Sequence, residues 1–93
     1  MRMFSPGPGA MLPRDAIVGI LDLDTATVSG HTREYLRRAQ EAGAVVTVGD
    51  ELPQSFIVTN LASSALVGES AQNIIYLLPQ SSANLSKKLL TTP

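Results

Sequence analysis

The chain has no cysteine and no tryptophan, and its aromatic residues are limited to Phe4, Tyr35, Phe56 and Tyr76. Without cysteine there is no disulfide, no thiolate nucleophile and no thiolate metal site, which suits a reducing compartment. With so few rings, the core must be built mainly from Val, Ile, Leu and Ala. Excess charge is also missing: seven Lys and Arg stand against eight Asp and Glu, so no global field steers a polyanion. No apolar run approaches the ~20 residues that span a bilayer. The opening MRMFSPGPGAML lacks the apolar stretch of a signal peptide. These absences predict a cytoplasmic protein with no membrane partner.

The 93 residues read as one domain, 1–93. A domain of this size buries only about 60–65% of its unfolded surface. Thin aliphatic cores of this kind are often completed by another copy of the chain, so a homo-oligomer is expected, a ring being one form. Residues 1–12 contain SPGPGA, whose prolines remove amide donors and whose glycines are costly to order. They read as a loop or weak strand. Pro13-Arg14-Asp15 reads as a turn. Ala16–Leu23 (AIVGILDL) is apolar on both parities and predicts a strand covered on both faces. Thr25–Gly30 reads as a polar loop.

The spacing predicts a helix over His31–Ala42, with Ser29 or Gly30 as N-cap and Gly43 as the left-handed C-cap residue. Thr32, Tyr35, Leu36, Ala39 and Ala42 form its inner face; Arg33, Arg37, Gln40 and Glu41 lie opposite. Glu34 precedes Arg38 by four residues, the favourable order for an ion pair. Ala44–Val48 and Ser55–Thr59 read as a hairpin across the acidic turn Gly49–Pro53. Residues 60–73 read as a long connection and Ile74–Leu78 as the last strand. A second helix follows over Ser82–Leu90, with Ser81 as N-cap and Leu85 and Leu89 as its apolar ridge. The order β-α-β-β-β-α predicts an α+β fold with a small, largely antiparallel sheet and two short helices.

Reaction chemistry has few carriers. His31 sits at a helix start, flanked by Ser29, Thr32 and Glu34, where capping and solvation account for these residue types. Asp22 and Asp24 are two apart, so a strand would put both carboxylates on one face; a solvated strand end accounts for them as well. The GPG of SPGPGA is followed by no Gly-Lys-Ser/Thr and is no phosphate loop. No catalytic residue, no metal site, no cofactor, no small-molecule substrate and no enzymatic activity are predicted. The informative charges are cationic. Arg33, Arg37 and Arg38 share one short helix, Lys87 and Lys88 form a second group, and Arg14 is a third point. Arginine forks suit phosphates, or carboxylates of a neighbouring subunit, and phosphate contacts multiply in an assembly. These residues fit a solvated, ion-paired helix face, an inter-subunit contact or a nucleic-acid interface.

Leu12-Pro13-Arg14-Asp15-Ala16-Ile17-Val18-Gly19-Ile20-Leu21-Asp22, with Thr32-Arg33-Glu34-Tyr35-Leu36 after it, resembles the bacterial extracellular matrix regulatory proteins, the RemA/RemB family, and the RemB branch more than the other. Pro53–Thr59 (PQSFIVT), Ile75–Pro79 (IYLLP) and Ser81-Ser82-Ala83 extend the match to most of the chain, leaving out the N-terminal loop and residues 60–73. The resemblance implies a small α+β protein that assembles into oligomers. For the RemA branch it further implies rings that bind duplex DNA and activate biofilm-matrix genes. That branch is arginine-rich in the turn between its middle strands, where this chain has acidic Gly49-Asp50-Glu51-Leu52-Pro53. No DNA-contact residue is therefore carried over from the family. The two readings are a homo-oligomeric regulator, with duplex DNA as candidate partner, and a self-assembling protein-interaction adaptor that binds no nucleic acid.

Overall fold

The computed structural model describes residues 2–7, 9–26, 30–62 and 73–91. Strands β1 (Met3–Gly7) and β2 (Ala10–Pro13) form an antiparallel hairpin, and a short 3-10 turn (Arg14–Ala16) leads into β3 (Ile17–Asp22). Helices α1 (Leu23–Ala26) and α2 (Gly30–Glu41) follow, then β4 (Val45–Thr47), β5 (Ser55–Ala62), β6 (Asn73–Leu78) and α3 (Ser82–Thr91). The main sheet has the order β3-β5-β6-β4; β3-β5 and β5-β6 are antiparallel, β4-β6 parallel. The protein is thus α+β with mostly antiparallel sheets and two longer helices, as the sequence predicts.

Side-chain alternation along β5 and β6 divides the core into two layers. Phe56 and Ile75 pack with Ala39 and Ala44, joined by Leu36, Val45, Val58 and Leu77; this is the α2 side. Ile57 and Leu78 pack with Phe4, Ala10, Leu12, Val48 and Leu85, joined by Ile17, Ile20, Tyr76 and Leu89. The hairpin and α3 therefore cover the opposite side of the sheet from α2.

Helix α2 ends as its sequence predicts. Gly43 has φ +72, Gly43 N–H donates to Gln40 O (3.1 Å) and Ala44 N–H to Ala39 O (2.9 Å), the paired bonds that close a helix on a left-handed residue. At α3, Asn84 N–H donates to Ser81 Oγ (3.2 Å), the expected N-cap, while Asp22 Oδ1 accepts from Ser82 N–H (3.0 Å). Thr59 is buried where the β5-β6 register shifts; its Oγ1 donates to Ile74 O (2.8 Å) and accepts from Leu61 N–H (3.2 Å). The hydroxyl fills the gap in the backbone ladder.

Four expectations are refined or corrected. Within residues 1–12, read as a loop or weak strand, the strand alternative holds: Met3–Gly7 and the residues from Ala10 onward form a hairpin whose Phe4 and Leu12 are fully buried. Pro6 lies where the hairpin register shifts between Phe4 and Gly7, a place where a missing amide costs no ladder bond. Gly7 is required by close approach, since a Cβ there would stand 2.8 Å from Val48 Cγ1. Second, Ala16–Leu23 is not covered on both faces. Among the described residues β3 pairs only with β5, so it is an edge strand, and Val18 and Leu21 are 66% and 42% exposed.

Third, Ala44–Val48 and Ser55–Thr59 are both strands but not a hairpin: β4 lies parallel to β6, on the far side of it from β5. The α2-β4 link acts as part of a crossover, burying Ala44 and Val45 beside Ile75. Fourth, within Thr25–Gly30, Thr25 and Ala26 belong to α1 and Gly30 opens α2. The Ser29 N-cap and residues 63–72 of the long connection lie outside the described residues; Asn60–Ala62 continue β5 and Asn73 begins β6.

Candidate functional site

The six predicted cationic residues do not form one group. Arg33, Arg37 and Arg38 lie on the exposed side of α2, whereas Lys87 and Lys88 are exposed on α3 and Arg14 follows the hairpin. Because α2 and α3 cover opposite faces of the sheet, a single copy presents two separate cationic surfaces.

On α2 the arginines are already engaged. Glu34 accepts from Arg37 Nε (3.0 Å) and Arg37 Nη2, and from Arg38 Nε (3.2 Å). Arg37 Nη1 also donates to Glu41. The Arg37 hydrogen bond, with help from Arg38, holds the Glu34 carboxyl down at about 2, and Glu34, with help from Glu41, raises Arg37. Glu34 thus stays ionised at any ordinary pH. Arg33 carries no ion pair among the described residues. Three arginines face two glutamates, so the helix offers far less positive field than its arginine count suggests.

Arg14 belongs to a different feature. Its N–H donates to Arg2 O (3.0 Å), which extends the Met3–Pro13 pairing by one step and sets Arg2 across from Arg14. The two residues line an open cleft of about 560 Å³ together with Asp15, Ile17 and Leu89. Arg2 is the residue that sequence reasoning missed. Antiparallel pairing of residues 2–4 with 12–14 would have revealed it, but the Pro- and Gly-rich stretch between them reads as a loop.

The candidates for acid-base or metal chemistry are dispersed. Asp22 accepts the Ser82 amide hydrogen, and this bond lowers its carboxyl below the ordinary value. Asp24 lies in α1 and is exposed, so the predicted carboxylate pair is split between a strand and a helix. His31 is exposed in the first turn of α2. Among the described residues no three His, Asp or Glu side chains converge as metal ligands would, and no helix is long and apolar enough to cross a membrane.

Strand β3 is one of the two edges of the main sheet and exposes apolar side chains. Its bulge between Ile17 and Gly19 turns Val18 outward, and Leu21 lies opposite Phe56 on the side covered by α2, yet remains 42% exposed. Among the described residues no strand pairs with its outer edge. A scan of the chain against protein-family models finds no match, and a search of curated proteins finds none either.

Proposed function

We propose that the chain is a non-enzymatic, homo-oligomeric regulatory protein of the cytoplasm, resembling RemB, that assembles along β3. The observation that carries this reading is the edge strand itself. It presents Val18 and Leu21 to solvent beside a row of backbone groups with no partner strand among the described residues. An edge that is apolar up to its terminal Asp22 is what monomers ordinarily avoid with lysines or proline, and burying it against a second copy removes both liabilities. Light scattering tests the reading: at tens of micromolar the mass is a multiple of 9.8 kDa, and a clean monomer refutes it.

Within that reading, the charge arrangement favours a self-assembling adaptor for a protein partner over a binder of duplex DNA. Glu34 and Glu41 occupy Arg37 and Arg38, the α3 lysines lie across the sheet from them, and the Asp50-Glu51 turn is exposed. A titration against duplex DNA at two salt concentrations separates the two. The adaptor gives no retarded band even at low salt. A regulator that binds DNA gives a steep salt dependence that flattens when Arg33 and Arg37 are replaced.

A further inference from the structure

We propose that assembled copies bind one another end to end: the acidic turn Asp50-Glu51-Leu52 of one copy seats on the last turn of α3, at Lys87 and Leu90, of another. The proposal rests on the homo-oligomer reading and adds a second interface to it, distinct from the outer edge of β3. Topology sets the two surfaces at opposite ends of the sheet. Asp22 pairs with Ser55 and Ser55 with Leu78, and Gln54 N–H donates to Leu78 O (2.8 Å). Gly49 lies against Pro79, whose Cγ a Cβ there would meet at 3.5 Å. The acidic turn therefore shares an end with Asp22 and the exposed Asp24. Helix α3 starts at this same end, where Asp22 Oδ1 accepts from Ser82 N–H. It runs back until Leu89 lines a cleft with Ile17, at the start of β3. Its ten residues span about 15 Å and the six of β3 about 20 Å, so the last turn of α3 reaches the opposite end. Arg2 and Arg14 lie there too.

Charge complementarity names the occupant. Asp50, Glu51 and Lys87 are exposed, and none makes an ion pair among the described residues. Because their surfaces sit at opposite ends, one copy cannot bring its own together; a second copy, placed head to tail, can. Leu52 and Leu90 are 86% and 81% exposed, the highest values among the large apolar side chains described, and each surface carries one of them. Turn chemistry accounts for Asp50 and the helix dipole for lysines near a C-terminus. Neither accounts for a leucine held in water beside the charges. An apolar centre with charges around it is the ordinary anatomy of an interface. One exposed ion pair is weak, so a lone copy does not associate this way. An assembly that presents the contact several times gains by avidity. Such a head-to-tail contact closes into a ring or extends as a column.

Light scattering on the full chain tests the proposal at two salt concentrations. At about 0.01 M the screening length is about 30 Å, and at about 1 M it is about 3 Å. The mass at low salt is expected to be at least about twice that at high salt, where only the apolar β3 contact survives. Glu51→Lys and Lys87→Glu each hold the mass at the high-salt value in both conditions. An equimolar mixture of the two, or both changes in one chain, restores growth at low salt, because the reversed charges then face each other. That restoration cannot arise from unfolding. Leu52→Ser leaves the charge unchanged and raises the concentration at which growth begins about tenfold. Circular dichroism melting of each variant confirms that the fold is retained. A native multimer whose mass ignores salt, or growth that survives both reversals, overturns the proposal alone. So does a mixture that restores nothing, the result expected if the acidic turn takes a different protein. A native chain that is monomeric at both salts overturns the assembly reading and the proposal together.

Discussion

Replacing Phe4 by Ala tests whether the N-terminal hairpin is part of the folded core. The ring is fully buried, in a cluster with Leu12, Val48, Ile57, Leu78 and Leu85 that draws on the hairpin, the main sheet and α3. Truncating a buried Phe to Ala typically costs about 3–5 kcal/mol, the transfer term plus the cavity left behind. A 93-residue domain has a total stability of about 5–14 kcal/mol, so this single change removes about a fifth of it or more. At about 4–8 °C per kcal/mol for a domain of this size, the melting temperature falls by at least about 12 °C. The assay is urea unfolding followed by far-ultraviolet circular dichroism, at one protein concentration because self-association adds its own stabilisation. Met11→Ala is the internal reference: it lies in the same hairpin but is 59% exposed, and its effect stays within about 0.5 kcal/mol. A loss below about 1 kcal/mol for Phe4→Ala would refute the reasoning, because an undocked hairpin leaves no cavity.

Gly7→Ala destabilises by about 1–2 kcal/mol through overpacking, since the new Cβ meets Val48 Cγ1 at 2.8 Å. Val48→Ala relieves that clash, so the double variant is more stable than the sum of the single losses, read from a double-mutant cycle of unfolding midpoints. Asp22→Ala lowers the melting temperature at neutral pH, because the native carboxylate accepts the Ser82 amide. Its folded pKa is depressed below 3.8, so the stabilisation is complete above that value and fades as pH falls through the folded pKa. The gap between native and variant melting temperatures therefore narrows on acidification, and a gap that widens would contradict the assignment.

Local signals made the helices legible. Gly43 with its left-handed φ, the Ser81 cap, and the Leu85–Leu89 ridge all depend on neighbours within one or two turns. The Glu34–Arg38 ion pair followed from i,i+4 spacing in the same way. What was illegible was non-local. Pro6 and Gly7 read as loop residues, and only the proximity of Val48, forty-one positions away in the chain, makes Gly7 a packing residue. The apolar run over Ala16–Leu23 reads as a strand buried on both faces, but nothing in its composition tells a central strand from an edge strand that leaves Val18 exposed. Strand partners are likewise chosen by packing: Ala44 and Val45 pack beside Ile75, which sets β4 parallel to β6 instead of in a hairpin with β5. The candidate site suffered the same way. Arg14 was visible, while Arg2 became its neighbour only through the hairpin that the Pro- and Gly-rich stretch concealed.

The most direct test of assembly along β3 is the solution mass of the native chain beside that of a Val18→Lys, Leu21→Lys double variant. Both side chains are exposed in the single copy, at 66% and 42%, so the lysines leave the fold intact while placing charge on the edge, the device by which sheet proteins block edge pairing. Light scattering coupled to size exclusion should give a multimer for the native chain and a 9.8 kDa monomer for the variant, with matching circular dichroism spectra. A variant that keeps the native multimeric mass would contradict the account.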